Sequence, residues 1–161
     1  AVIARVRANA ATRNARVVIV EPENAECIFE SIRAGEPTAV HGDLDTIMAG
    51  LACGEVSLIA WDVLEREVSD AMVVPDSAAV TCMRRLADGV NGDAPVVAGE
   101  SAVAGLAGLA VARGDGDFSD ALGLTSSSVV LVIGTEGATD PDVYSGIVGR
   151  TAEEVAASAK L

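Results

Sequence analysis

Three features of this 161-residue chain predict an α/β fold with a mostly parallel sheet flanked by helices. Short, uninterrupted aliphatic runs end at a proline or a glycine, as strands buried on both faces do. Segments with apolar residues at helical spacing lie between them. Half of the residues are hydrophobic but only 2% are aromatic, with 16 glycines, so the core is aliphatic and its helices can pack closely.

Taken in order, AVIARVRANAA at the start reads as a helix, and RVVIVEP (residues 16–22) as the first strand. In ENAECIFESIRAGEP, Ala25, Ile28, Phe29 and Ile32 repeat at helical spacing, with Gly35 as the stop. TIMAGLACGE (46–55) is too small and glycine-rich for a regular helix throughout. SLIAWDVLEREVSD (57–70) is amphipathic, with Leu58, Trp61, Leu64 and Val68 on one face. AMVVP (71–75) is a second strand, and Asp76 suits the N-cap of the helix that follows. VVAGESAVAGLAGLAVARG reads as a helix whose Gly105 and Gly108 permit close packing. SSSVVLVIGTEG supplies a third buried strand, residues 129–133, running into a glycine loop. Asp140 and Pro141 match the N-cap and N1 positions of a helix, and Thr151 with Glu154 forms a capping-box pattern for the last one. With no repeat or linker, the alternation argues for one layered domain.

The net charge of −13 repels phosphate backbones and anionic lipid, which argues against nucleic-acid and membrane-surface partners. No apolar run approaches the roughly 20 residues of a membrane span, and no leader pattern opens the chain. A cytoplasmic protein is expected. Ten arginines accompany a single lysine, Lys160. Chemistry that needs a buried lysine amine therefore has no good candidate in this sequence.

Ligands of open α/β sheets bind beyond the carboxyl ends of the strands. The run 129–133 ends in Gly134-Thr135-Glu136-Gly137, where glycines admit close backbone approach and Thr135 offers a hydroxyl. A tight turn before a helix is an equally good reading of that segment alone. In GESA (99–102), Glu100 reads as a ligand-facing carboxylate or, on spacing alone, as an acid complementing a helix dipole. His41 is the only histidine and has no second metal ligand at a metal-site spacing, so no metal site is expected. G-x-S-x-G, GxGxxG and P-loop patterns are absent. Cys27, Cys53 and Cys82 are too widely spaced for a CxxC site.

Several segments in order, VVIVEPENAECIFESIRAGEP, DTIMAGLACGE, VVAGESAVAGLAGL and GTEGATDP, resemble the C-terminal portion of diaminopropionate ammonia-lyases. More broadly, the pattern is similar to the tryptophan-synthase-β group of pyridoxal-phosphate enzymes, fold type II. The resemblance implies that residues 1–161 are the C-terminal part of a single catalytic domain. The cofactor it implies is pyridoxal 5'-phosphate, the substrate a small amino acid and the complete enzyme a homodimer. The reaction would be β-elimination of 2,3-diaminopropionate to pyruvate and ammonia. It assigns Thr135 to the pyridine nitrogen, Glu100 to the ring's vicinity, and Ala49, Gly50 and Gly134 to backbone approach. The Schiff-base lysine and base of such an enzyme are expected outside this segment, Lys160 being no substitute, so the segment alone is expected to be inactive. In related racemases a cation is held by the strand-EP segment, but Cys27 stands where an acid is needed, which disfavours a hard cation here. Cys27 and Cys53 match a pair that can form a disulfide in the lyases, although a reducing compartment favours thiols. Two alternatives remain: another fold type II enzyme such as a serine or threonine dehydratase, and a catalytically dead binding module.

Overall fold

The computed structural model describes residues 1–159; Lys160 lies outside them. The chain divides into two compact units, residues 1–46 with 51–73, and residues 47–50 with 74 onward.

In the first unit, helix α1 (Val2–Ala8) leads to strand β1 (Val18–Pro22), helix α2 (Cys27–Ala34), helix α3 (Leu58–Glu67) and strand β2 (Asp70–Val74). β1 and β2 form a two-stranded parallel sheet with helices against it. The β1–helix–β2 order is the crossover that parallel pairing requires. Helix α2 stops where Gly35 takes a left-handed φ of 76° and donates its N–H to Ser31, the cap that glycine accepts without steric cost. Ser57 caps α3 by accepting the Ala60 N–H. Trp61 is buried from that helix, whereas Leu58, expected on the same face, is exposed at the first turn. Arg7 ties α1 to α3 through the Glu67 carboxylate at 2.8 Å and the Glu67 carbonyl at 2.7 Å.

The second unit contains helices α4 (Asp76–Asp88), α5 (Ala104–Gly114), α6 (Gly116–Leu122), α7 (Pro141–Val148) and α8 (Ala152–Ser158). Its core holds Met83, Val103, Ala107, Tyr144 and Val155. Alanines and glycines on α5, among them the buried Ala104, Ala107 and Gly108, give α4 and α6 a flat surface to pack on. Asp140 and Pro141 take the expected cap and N1 positions, and Thr151 with Glu154 closes a complete capping box. Arg84 and Arg150 donate to the Ile147 and Ala87 carbonyls, near the C-terminal ends of α7 and α4.

Three expectations need correction. Pro75, not Asp76, caps α4; Asp76 is its first residue, and its carboxylate accepts the Ile47 N–H at 3.0 Å. Helix α5 begins at Ala104, so Glu100 lies in a preceding turn rather than in the helix. Residues 129–133 are not a strand. They run without ladder hydrogen bonds, with Val129 99% and Leu131 79% exposed. An aliphatic run becomes a strand only where a neighbour supplies the ladder, and none of the described residues does so. Helix α6, capped by Asp115, was not anticipated; DGDFSDALG is too short and polar to show a helical period.

Candidate functional site

Three of the five site residues read from the sequence come from short turns in the second unit, and the other two, Gly134 and Thr135, from its extended segment. A single 3-10 turn, Ala49–Leu51, carries Ala49 and Gly50, both exposed. The turn before α5 carries Glu100, and the segment before α7 carries Gly134 and Thr135. Hydrogen bonds join these pieces. Gly50 N–H donates to Ser101 Oγ at 3.0 Å. Ser101 N–H donates to Glu136 Oε2 at 2.7 Å, and Gly99 N–H donates to the Glu136 carbonyl at 3.2 Å. The residue before Glu100 is thereby bonded to the residue after Thr135.

Close approach explains the glycines at two points. A Cβ on Gly99 would lie 2.8 Å from Glu136 Oε2 and 2.9 Å from its Cγ, and nearer still to the Gly137 carbonyl. A Cβ on Gly50 would lie 2.9 Å from Ser101 Oγ. The collision at Gly99 meets the Gly137 backbone and could not be relieved without moving the segment that carries Thr135, whereas the one at Gly50 meets the Ser101 side chain and would break its hydrogen bond.

The two polar side chains differ sharply. Thr135 is exposed, and its hydroxyl has no hydrogen-bond partner among the described residues. Glu100 is only 6% exposed, and its Oε1 is buried without a partner. A buried polar atom left without a partner costs about 1–3 kcal/mol, more for a charged group. Orphans of this kind in native proteins reflect a bound water, an ion, a ligand, local strain or a catalytic role; Glu26 Oε2 and the Tyr144 hydroxyl share the state.

Other groups singled out in the sequence lie in the first unit, Cys82 excepted. Glu21, 7% exposed, accepts Ile28 N–H at 3.1 Å and Phe29 N–H at 2.7 Å, with the Cys27 thiol 3.8 Å away. It caps α2 from the end of β1. Burial pushes its pKa above the usual carboxylate value, partly offset by those amides. Burial, and then the neighbouring Glu21 charge, push Cys27 up to about 11. Cys27, Cys53 and Cys82 are all free thiols, so the implied Cys27–Cys53 disulfide is not formed. His41 is exposed at the mouth of an acidic cavity of about 390 Å³ lined also by Glu23, Glu26, Asp43 and Asp45. No cluster of three His, Cys, Asp or Glu side chains suited to a metal occurs among the described residues. No helix among them is long and apolar enough to cross a membrane.

Sequence reasoning noted the Ser101 hydroxyl but assigned it no partner, and gave Glu136 no role beyond shaping its loop; the contacts between them were missed. The signal was present, since both sit between glycines or small residues in the two segments singled out, but spacing says nothing about which loop a side chain reaches.

Comparison with known proteins agrees with the resemblance. The chain is 37% identical over 147 residues to diaminopropionate ammonia-lyase from Escherichia coli K12, covering 89% of this chain and 37% of that protein. The Salmonella typhimurium enzyme is 39% identical over 144 residues, covering 84% of this chain and 36% of the relative. The chain thus spans little more than a third of the length of the curated relatives it matches. The crystal structure of the selenomethionine-labelled holo diaminopropionate ammonia-lyase from Escherichia coli superposes with a TM-score of 0.76 at 37% identity, over 84% of this chain and 34% of that one. The family model described as pyridoxal-phosphate dependent enzyme matches residues 1–135. By that match, which takes in the turns bearing Gly50 and Glu100 and ends on Thr135, the chain belongs to the pyridoxal-phosphate dependent enzyme family.

Proposed function

We propose that this chain forms the ring-facing part of the active site of a pyridoxal-phosphate-dependent ammonia-lyase acting on 2,3-diaminopropionate. On this reading residues 1–161 belong to one catalytic domain of a homodimeric, cytoplasmic enzyme with a small amino-acid substrate. Identity of 37–39% to diaminopropionate ammonia-lyases supports the substrate class, and three free thiols suit a reducing compartment.

The single observation that carries the site is the pairing of an unpartnered Thr135 hydroxyl with an orphaned, buried Glu100 oxygen, each one residue away from the Gly99–Glu136 hydrogen bond. A threonine hydroxyl can donate to a pyridine nitrogen, and the backbone hydrogen bond brings Glu100 into its neighbourhood, which supports the reading of these turns as the ring end of the cofactor site. No Lys or Arg occurs within 46–55, 96–106 or 129–141, so these segments offer the cofactor's phosphate no cationic side chain.

Pyridoxal phosphate, when bound, supplies the electron sink for removal of an α-proton and loss of a β-substituent. Thr135 would donate its O–H to the pyridine nitrogen. A neutral hydroxyl does not hold that nitrogen protonated as a carboxylate would, so it favours prompt loss of the β-amino group over a long-lived carbanion. Glu100, screened from water, would face the ring's polar edge. The backbone at Ala49, Gly50 and Gly134 would border the ring, where the lack of bulk leaves room for it.

The test is a chimera in which this segment replaces its counterpart in the Escherichia coli lyase. Pyruvate release from 2,3-diaminopropionate is expected, reduced at least tenfold by Thr135→Val. Turnover of serine or threonine in preference to diaminopropionate would move the assignment to a dehydratase. Unchanged kinetics in Thr135→Val would remove Thr135 from the site.

A further inference from the structure

We propose that Glu136 is the positioning residue of this site, fixing Thr135 and Glu100 relative to each other by holding the backbone on both sides of Glu100. The inference deepens the reading of Thr135 and Glu100 as the ring-facing pair and rests on it.

Thr135 belongs to a segment that no strand ladder holds. Among the described residues, one backbone hydrogen bond ties residues 129–137 to another part of the chain, Gly99 N–H to the Glu136 carbonyl. The Glu136 side chain supplies the second tie, accepting Ser101 N–H at 2.7 Å. Its other oxygen lies 3.4 Å from the Thr139 hydroxyl, which donates to it. Ser101 passes the constraint on by accepting Gly50 N–H. Glu136 thus grips the residue before Glu100 with its carbonyl and the residue after Glu100 with its carboxylate. Both neighbours of Glu100 are thereby held, and its Oε1 stays without a partner. Gly99 is part of the same device, because any side chain there would occupy the place of the Glu136 carboxylate. A carboxylate suits this role because its hydrogen bond to an amide is charge-assisted, stronger than a neutral one.

The experiment is residue-resolved amide hydrogen exchange on the full chain without added cofactor, comparing the parent with Glu136→Met, Glu136→Gln and Thr135→Val. Met keeps the length and apolar contacts of Glu136 but offers no oxygen acceptor; Gln keeps one oxygen. Protection of the Ser101 amide is expected to fall about tenfold or more in Glu136→Met and to stay within about threefold of the parent in Glu136→Gln. The Thr135 methyl resonance should move in Glu136→Met and return in Glu136→Gln, a rescue that a general loss of packing would not show. Equal protection in Glu136→Met and the parent, or equal loss in Met and Gln, would overturn the proposal. If amides of Ala107 and Tyr144 lose protection in Glu136→Met, Gly99→Ala becomes the deciding variant, because it displaces the carboxylate without removing it. Retained Ser101 protection there would overturn the proposal, and loss with an intact core would support it. Thr135→Val should leave Ser101 exchange untouched. Failure of Thr135→Val to alter the chimera's kinetics would sink the functional reading alone, with the exchange result still deciding the role of Glu136.

Discussion

Two buried glutamates, one in each unit, sit in equally closed surroundings and are treated in opposite ways. Glu21 is 7% exposed and Glu100 6%. Glu21 ends a strand and gives both oxygens to the first-turn amides of α2. Glu100 follows a glycine in a turn, and its Oε1 is left without any donor. Burying a carboxylate is costly unless hydrogen bonds compensate. The first unit uses both oxygens to stitch its strand to its helix. The second leaves the cost uncompensated beside an exposed, unpartnered threonine. Burial alone therefore does not separate these two acids; the presence or absence of donors does.

The comparison breaks if Glu21 is not structural. Glu21→Ala leaves two helix amides without an acceptor and should destabilise the chain by about 3 kcal/mol in denaturant unfolding. A loss under about 1 kcal/mol would mean that water reaches those amides. The sign of the pH dependence sharpens the point. The folded pKa of Glu21 is raised above its ordinary 4.5, so above that value the native state holds a proton that the unfolded chain has released. Stability from this group is complete below 4.5 and is lost as pH rises through the folded value. The stability gap between the parent and Glu21→Gln should accordingly narrow across that window.

Cys27 reports on the same carboxylate. Its thiol is pushed from 9.0 up to about 11, so near pH 8 its thiolate fraction is about a hundredfold below that of an ordinary cysteine. Alkylation followed by mass spectrometry should show Cys27 reacting slower than a free thiol by about that factor, with partial recovery in Glu21→Gln. In the second unit the corresponding break is Gly99→Ala. The added Cβ meets the Glu136 carboxylate and the Gly137 carbonyl, and overpacking of this kind costs about 2 kcal/mol. Unfolding midpoints of the two variants measure the rigidity of each device separately.

The sequence was most legible where a local rule decides the outcome. Gly35, Ser57, Asp140, Pro141 and the Thr151–Glu154 box each act within one helical turn, and each does what its residue type predicts. It was least legible where the deciding partner is distant in the chain. The run 129–133 has the composition of a buried strand, but pairing depends on a neighbour that composition cannot reveal. Glu136 and Ser101 are 35 residues apart, so no periodicity could have joined them. The candidate site residues came from segment resemblance and chemistry, while the hydrogen bonds that join their turns required coordinates.

The smallest stability effect belongs to Glu100 and separates the two glutamates most cleanly. Glu100→Met replaces an unpartnered buried carboxylate with an apolar side chain of similar length. No hydrogen bond is lost and a desolvation cost is removed, so stability should stay within about 0.5 kcal/mol of the parent or rise slightly. Glu21→Met, the matched change in the first unit, should instead cost about as much as Glu21→Ala. Unfolding curves of the pair, recorded side by side, therefore test one proposition: a group kept at a cost to the fold is kept for something the fold does not use. If Glu100→Met proved as damaging as Glu21→Met, its carboxylate would have a structural partner after all, and the ring-facing role would have to rest on Thr135 alone.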